Sequence, residues 1–279
     1  MKRARSIPIA SEGDAAAVFG DDSFMGRLRE AALEVLSPTR CAGCERPGAL
    51  ICEACLSRIE VIDPLHACTR CGAPFGDMLC TECGTAGDTV DGGEGATAGS
   101  PATPEARAVD RCLAATVFAD PVPRIIRTYK DAGERRLGAL IAELMLDAAE
   151  HAEQVAPERY GGLLRNADAV AFVPVTASAY ARRGFDHMEL IARGFSELSG
   201  LPLVDALAKH GSADQRALCR AGRMERSRDA YEVVAPVDGL RLLLLDDVIT
   251  TGATMRAAAT ALRVAGAANV DALAFARVW

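Results

Sequence analysis

The sequence predicts an α/β fold, a parallel sheet with helices on both faces, joined to a small metal-stapled module near the N-terminus. Three observations carry that prediction. Leu242–Leu245 is an unbroken run of leucine, and a strand with no polar face suits a sheet covered on both sides. Strand-like and helix-like stretches alternate from Arg111 onward, the order expected of parallel α/β sheets. Eight of the ten cysteines fall in four Cys-x-x-Cys pairs between residues 41 and 83, the spacing of zinc knuckles.

The 279 residues suffice for one α/β domain plus a smaller module. No apolar run approaches the roughly 20 residues that cross a bilayer, so no membrane insertion is expected. Met1-Lys2-Arg3-Ala4-Arg5 is basic, but Glu12, Asp14, Asp21 and Asp22 follow it. No secretory apolar region is present there, so the reading is cytoplasmic. The net charge of −7 is uneven: residues 1–110 hold 10 Lys/Arg against 17 Asp/Glu, and residues 111–279 hold 21 of each. A neutral second half offers no global field to draw in nucleic acid. Any basic patch must be local.

Residues 1–22 are small, polar and aperiodic, a composition that predicts disorder. Phe24, Leu28, Ala31, Ala32 and Leu36 fall near helical spacing and predict a short packing helix, closing a first region of 1–40. The pairs Cys41/Cys44, Cys52/Cys55, Cys68/Cys71 and Cys80/Cys83 define a module of 41–84. Two thiolates at this spacing share one tight turn, and two such turns complete a tetrahedral S₄ zinc site. In a cytosolic protein disulfides are disfavoured, and four pairs in so short a stretch favour metal over redox chemistry. The gaps within 41–55 and 68–83 are short, which predicts two sequential ribbons, each with its own structural zinc. A cross-braced pairing, first with third and second with fourth, is the alternative. His66 neighbours Cys68 as a substitute ligand or a bystander. So small a module builds little core, so metal is expected to supply its folding energy.

Residues 85–110, rich in Gly, Ala, Thr, Asp and Pro, read as a flexible linker, and 111–279 as the α/β domain. In the latter, Cys112–Phe118 is a candidate first strand, with Cys112 in the core. Pro121–Tyr129 and Leu137–Ala149 read as helices. Ala167–Val175 reads as a buried strand, Ala179–His187 as a loop and Glu189–Leu198 as a helix stopped by Gly200. Arg241–Leu245 and Asn269–Ala274 complete the readable strands. Ligands of such sheets sit outside the carboxyl ends of the strands. The loops after Val173 and after Leu245 leave those ends.

Beyond the leucines the chain reads Asp246-Asp247-Val248-Ile249-Thr250-Thr251-Gly252-Ala253-Thr254, and then a helix-forming stretch from Met255 to Val264. Strand, loop and helix in this order present backbone N–H groups to a phosphate. Thr250, Thr251 and Thr254 add hydroxyls, and Gly252 admits close approach of the backbone. Carboxylates repel bare phosphate, so Asp246 and Asp247 fit a ligand with hydroxyls beside its phosphate, such as a ribose 5-phosphate. The ordinary alternative is a buried strand whose acids cap the next helix.

Between Asp214 and Arg228 five arginines are concentrated: Arg216, Arg220, Arg223, Arg226 and Arg228. A solvated helix is one reading of them. Another is a mobile arm closing over pyrophosphate, where arginine forks pair with phosphate oxygens. A third is a strip of Arg216, Arg220, Arg223 and Arg226 on one helical face, able to meet a nucleic-acid backbone. Arg182 and Arg183 are further candidates for pyrophosphate, as is Lys130.

The run from Leu245 to Thr254 looks like the signature of the type I phosphoribosyltransferases, which bind phosphoribosyl pyrophosphate (PRPP). With the four cysteine pairs, Arg127-Thr128-Tyr129-Lys130, Val173-Pro174-Val175, Arg183-Gly184-Phe185 and Gln215-x-x-Leu218 with Arg223, the chain resembles the ComF family. Its members are competence-associated, phosphoribosyltransferase-like proteins with an N-terminal double zinc ribbon. The resemblance implies a type I phosphoribosyltransferase-like domain in which Asp246 and Asp247 hold the ribose hydroxyls. Thr250, Thr251, Gly252, Ala253 and Thr254 would hold the 5-phosphate. Lys130, Arg182, Arg183, Arg216 and Arg223 would meet the pyrophosphate, which carries Mg²⁺. It further implies work on single-stranded DNA during natural transformation, either with transfer of phosphoribosyl to a base-like acceptor or as a non-catalytic module. Such a module would bind single-stranded DNA or a competence helicase and keep the nucleotide pocket. The chain has Asp186-His187, Arg226 and Tyr231 where the family usually has Asn-Gln, Asn and Phe.

Overall fold

Four parallel strands form the central sheet of the computed structural model, which describes residues 39–76, 79–81, 83, 108–209 and 230–279. The expected N-terminal disorder and helix, the linker up to residue 107, and the arm carrying Arg216, Arg220, Arg223 and Arg226 lie outside the described residues. The sheet contains β1 (Cys112–Val117), β2 (Ala169–Phe172), β5 (Arg241–Ile249) and β6 (Asn269–Arg277), in the spatial order β1–β6–β5–β2. A separate antiparallel pair is made by β3 (Leu207–Lys209) and β4 (Tyr231–Val233). Helices α1 (Glu53–Leu56), α2 (Val122–Lys130), α3 (Leu137–Val155), α4 (Pro157–Tyr160), α5 (Ala177–Arg183), α6 (His187–Ser199) and α7 (Ala253–Val264) complete the named elements.

Strand β5 lies inside the sheet. Leu242–Leu245 pair with Ala169–Phe172 on one side and with Val270, Asp271, Ala272 and Leu273 on the other. Alternation sends Leu243 and Leu245 to one face, where they pack with Ile125 and Tyr129 of α2, Ile141 and Met145 of α3 and Ile191 of α6. Leu242 and Leu244 face the other way, onto Met255, Ala258 and Leu262 of α7 and onto Leu207 and Tyr231 of the β3–β4 pair. The apolar run is therefore covered on both sides, as its composition predicts. Helices α3 and α6 pack closely because a Cβ added at Gly194 would lie 3.2 Å from that of Ala142.

The cysteine module is docked on this sheet. Val61 bridges Thr116 in antiparallel sense, and Ile62 and Val117 exchange backbone hydrogen bonds with Ala115 and Glu60 at 3.0 and 2.8 Å. The outer edge of β1 is thereby covered, which removes an open row of backbone donors and acceptors. Arg124 of α2 donates to the Gly43 carbonyl at 3.2 Å, and Arg159 to that of Ala67 at 3.0 Å. Cys112 is buried in the core.

Three local details differ from the sequence reading, each for a physical reason. Strand β5 does not end at Leu245 but runs to Ile249, because β6 continues to pair with it at Asp246, Val248 and Ile249. The stretch expected as a loop is helix α5, capped at Thr176, whose side chain accepts from the Ala179 N–H. Gly184 then ends it in the left-handed conformation at φ 76°, and Asp186 caps α6 by accepting from the N–H groups of Met188 and Glu189. Strands β3 and β4 were not legible, being three residues each.

Leu244 is wholly buried at the centre of the sheet. Leu244→Ala should cost about 2–5 kcal/mol, a deleted side chain plus an unfilled cavity. Urea denaturation followed by far-ultraviolet circular dichroism would measure it.

Candidate functional site

Two cysteine quartets come together in the fold. Cys41, Cys44, Cys52 and Cys55 form one and Cys68, Cys71, Cys80 and Cys83 the other, with all sulfurs of a quartet within 4.8 Å of one another. The pairing is sequential, one ribbon after another, and His66 joins neither quartet. Cys44 and Cys52 sulfurs are 3.6 Å apart, as are those of Cys71 and Cys80. A zinc–sulfur bond of about 2.3 Å gives a tetrahedral edge close to 3.8 Å, so the quartets fit zinc. Backbone N–H groups of Gly43 and Cys52 point at the Cys41 sulfur at 3.4 and 3.3 Å.

The electrostatics point the same way. Burial acts to raise Cys41, but the N–H groups of Cys52 and Gly43 outweigh it and lower the thiol to about 6. A hydrogen bond from Cys71 lowers Cys68 to about 4 against the effect of burial. Their neighbours move oppositely: burial and adjacent thiolates push Cys55 and Cys83 up to about 12. Thiolates this close repel one another, and a divalent cation at the centre would let all four ionise.

The second candidate site lies at the carboxyl end of β5. Asp246 and Asp247 are each 7% exposed, and strand alternation turns them to opposite faces of the sheet. Asp247 points toward α2 and α6. Its Oδ2 pairs with the Lys130 ammonium and lies 2.7 Å from Nε2 of His187. Nδ1 of that ring is 3.3 Å from Nη1 of Arg183. A guanidinium only donates, so Nδ1 accepts and Nε2 carries the proton toward Asp247. Tyr129 fixes the same helix end, its hydroxyl donating to the His187 carbonyl. Burial would raise the Asp247 carboxyl, but the His187 hydrogen bond and the Lys130 charge prevail and hold it well below the usual range.

Asp246 faces the side of α7 and the β3–β4 pair, and its Oδ1 accepts from the Asp247 N–H at 2.9 Å. Burial, reinforced by the negative Asp247, pushes its carboxyl up to about 8. The two carboxyls thus move in opposite directions, Asp247 held in its ionised form and Asp246 pushed toward its neutral form.

Beyond them the chain opens to solvent. Thr250, Thr251, Ala253 and Thr254 are exposed, and Gly252 caps α7 in the left-handed region at φ 72°. A Cβ at Gly252 would also lie 2.9 Å from Nη1 of Arg256, which donates to the Thr251 carbonyl at 3.0 Å. The N-cap Gly252 has no side chain to cap α7, and at this positive end of the helix dipole the Ala253 N–H donates to the Thr251 hydroxyl at 3.4 Å.

Lys130 and Arg183 converge on this region, Arg183 through His187 and at 3.8 Å from Asp131. Arg182 is exposed on α5. Two residues at the site were not legible in sequence as participants. His187 stood out only as a departure from a motif. Arg277 ends β6 after a buried apolar run, and a charge there was the available signal.

Comparison with known proteins agrees with this architecture. Residues 32–86 match the family model described as a double zinc ribbon domain. The "DNA utilization protein YhgH" of Salmonella typhi is 24% identical over 246 residues, covering 84% of this chain and 95% of that protein. "Competence protein F" of Haemophilus influenzae is 23% identical over 165 residues, 57% of this chain and 69% of that one. "Competence protein ComFC" of Streptococcus pneumoniae is 29% identical over 105 residues, 38% of this chain and 46% of that protein. A solved structure of an "allosteric regulatory enzyme of purine biosynthesis" overlaps half of this chain and 24% of its own at 25% identity. Its TM-score is 0.27, too low to bear on the fold. Sheet, cysteine quartets and family match define a double-zinc-ribbon protein with a parallel α/β domain. Within that class the chain is similar to proteins named for DNA utilization and for competence.

Two measurements follow. The purified chain should hold two zinc ions by metal analysis, and Cys44→Ser should hold one. For Asp246, a carboxyl raised on folding makes the folded state bind the proton more tightly, so stability falls as pH rises toward about 8. Asp246→Asn, which retains the oxygen facing the Asp247 N–H, should raise the melting temperature more at pH 9 than at pH 6.

Proposed function

We propose that the chain binds PRPP, or a closely related ribose phosphate, at the carboxyl end of β5, and does so in the handling of DNA. The observation that carries this reading is the exposed start of α7, three threonines around Gly252, immediately after two buried carboxylates. The N–H groups and hydroxyls of Thr250–Thr254 would take the 5-phosphate. Ribose hydroxyls would donate to the acids. Both contacts of Asp247 go to Oδ2, which leaves Oδ1 as the oxygen for a hydroxyl.

Lys130 has a double part in this reading. Its side chain is one-fifth exposed, and its flexible stem could turn the ammonium from Asp247 to a phosphate oxygen. Arg182 and Arg183 would meet the pyrophosphate. Mg²⁺ would accompany the pyrophosphate, an oxygen-rich partner suited to a hard cation.

The reaction such a seat supports is attack on C1 of ribose by a base-like acceptor as pyrophosphate leaves. Its charge-separated transition state is served by positioning and fixed charges. The names of the relatives, one for DNA utilization and two for competence, support a role with DNA. In the alternative the pocket is kept for recognition alone, and the module binds single-stranded DNA or a competence helicase.

PRPP with Mg²⁺ should raise the melting temperature of the full chain, by the equivalent of about 2.7 kcal/mol at a hundredfold excess over Kd. Asp246→Ala combined with Asp247→Ala should remove that protection. Single-stranded DNA binding without any response to PRPP would defeat the ligand assignment. Pyrophosphate released in the presence of candidate bases would mark transfer, and its absence would leave a binder.

A further inference from the structure

We propose that Arg277 couples the second zinc ribbon to the β5–α7 turn, so that metal in the Cys68/Cys71/Cys80/Cys83 quartet holds that turn in shape. The consequence for ligand binding rests on the phosphate seat assigned to the turn above. Arg277 is the last residue of β6 and is 4% exposed. Its Nε donates to the carbonyl of Cys71, one of the quartet, at 3.0 Å. Its Nη1 donates to the carbonyl of Ile249 at 3.4 Å, and also to those of Thr250 and Val278. One guanidinium therefore ties a metal-ligand residue to the last residue of β5 and the first of the turn.

These hydrogen-bond partners are all neutral carbonyls, an expensive setting for a buried cation. Four thiolates around a divalent cation carry a net charge of about −2, so the loaded quartet supplies the missing counter-charge. Loading also fixes where the Cys71 carbonyl points, because Cys71 lies on the knuckle that grips the ion. That knuckle is seated firmly on the sheet. Gly72 adopts φ 71°, and a Cβ there would lie 3.3 Å from the Ala114 Cβ and the Cys112 sulfur. Cys112 N–H donates to the Thr69 carbonyl at 2.7 Å.

A second latch lies outside the first. The Arg277 guanidinium sits 6.0 Å from the Trp279 ring centroid, and that ring packs on Phe75 of the ribbon at 6.5 Å. Val278 N–H donates to the Ile249 carbonyl at 2.9 Å, so the strand end, the turn and the ribbon move together. Without metal the Cys71 carbonyl is released, Arg277 loses an acceptor and its counter-charge, and the Thr250 carbonyl loses a fixed donor.

The test is hydrogen–deuterium exchange on the full chain, read on peptides spanning residues 246–258, with PRPP calorimetry alongside. Cys83→Ser removes one zinc from the second ribbon only. Arg277→Lys keeps the charge and both zinc ions but cannot span the four carbonyls of Cys71, Ile249, Thr250 and Val278. Each should speed exchange in 246–258 about tenfold, the effect of one lost charge-assisted hydrogen bond. Combined, they should do little more than either alone, because they break the same link. Cys44→Ser, in the first ribbon, should leave these peptides unchanged.

Unchanged exchange in Cys83→Ser after loss of one zinc would overturn the coupling, and so would strictly additive effects. If exchange responds while PRPP fails to bind the wild type, the coupling stands and the ligand assignment falls. If PRPP binds while exchange does not respond, the coupling alone falls.

Discussion

Burial of two adjacent carboxylates at the end of an apolar strand is the constraint around which the sheet's working end is built. Moving a carboxylate out of water costs several kcal/mol unless it is paired or protonated. The fold uses both remedies, one on each face. Asp247 is met by Lys130 and by the Nε2 proton of His187. Asp246 accepts from the Asp247 N–H and is pushed toward its neutral form. Each remedy depends on the packing of elements distant in sequence: α2 brings Lys130, α6 brings His187, and Asp186 fixes where α6 begins.

The zinc ribbons belong to the same construction. They cover the open edge of β1 and touch α2 through Arg124, while Arg277 reaches from β6 into the second knuckle. A module of this size has too little apolar area to fold by itself. Its thiolate quartets and its dock on the sheet are two sources of the same stability. Among the described residues, the ribbons and the strand ends are therefore joined by direct contacts.

Much of this was legible in the chain. Leu242–Leu245 declared a strand buried on both faces, and the short gaps in 41–55 and 68–83 declared sequential quartets. Those signals are local, being runs and spacings. What escaped depends on pairing. Nothing in Asp246-Asp247 says that β6 continues alongside them, so the acids read as the start of a turn when they are strand residues on opposite faces. Ala179–His187 read as a loop because Arg182-Arg183-Gly184 breaks its apolar pattern, although Thr176 and Gly184 are good helix boundaries. Strands β3 and β4 are too short to show a period. Arg277 gains its meaning only when β6 brings it to Cys71, more than two hundred residues earlier.

The central claim is that the strand-end carboxylates and the open threonine turn form one seat for a sugar phosphate. Phosphorus NMR addresses it most directly, by watching the 5-phosphate resonance of PRPP as zinc-loaded chain is added. The account predicts that this resonance shifts or broadens with the wild type and not with Gly252→Val, whose side chain would crowd Arg256 and strain the turn. A 5-phosphate signal left unmoved by folded wild-type protein, or moved equally by the variant, would contradict it.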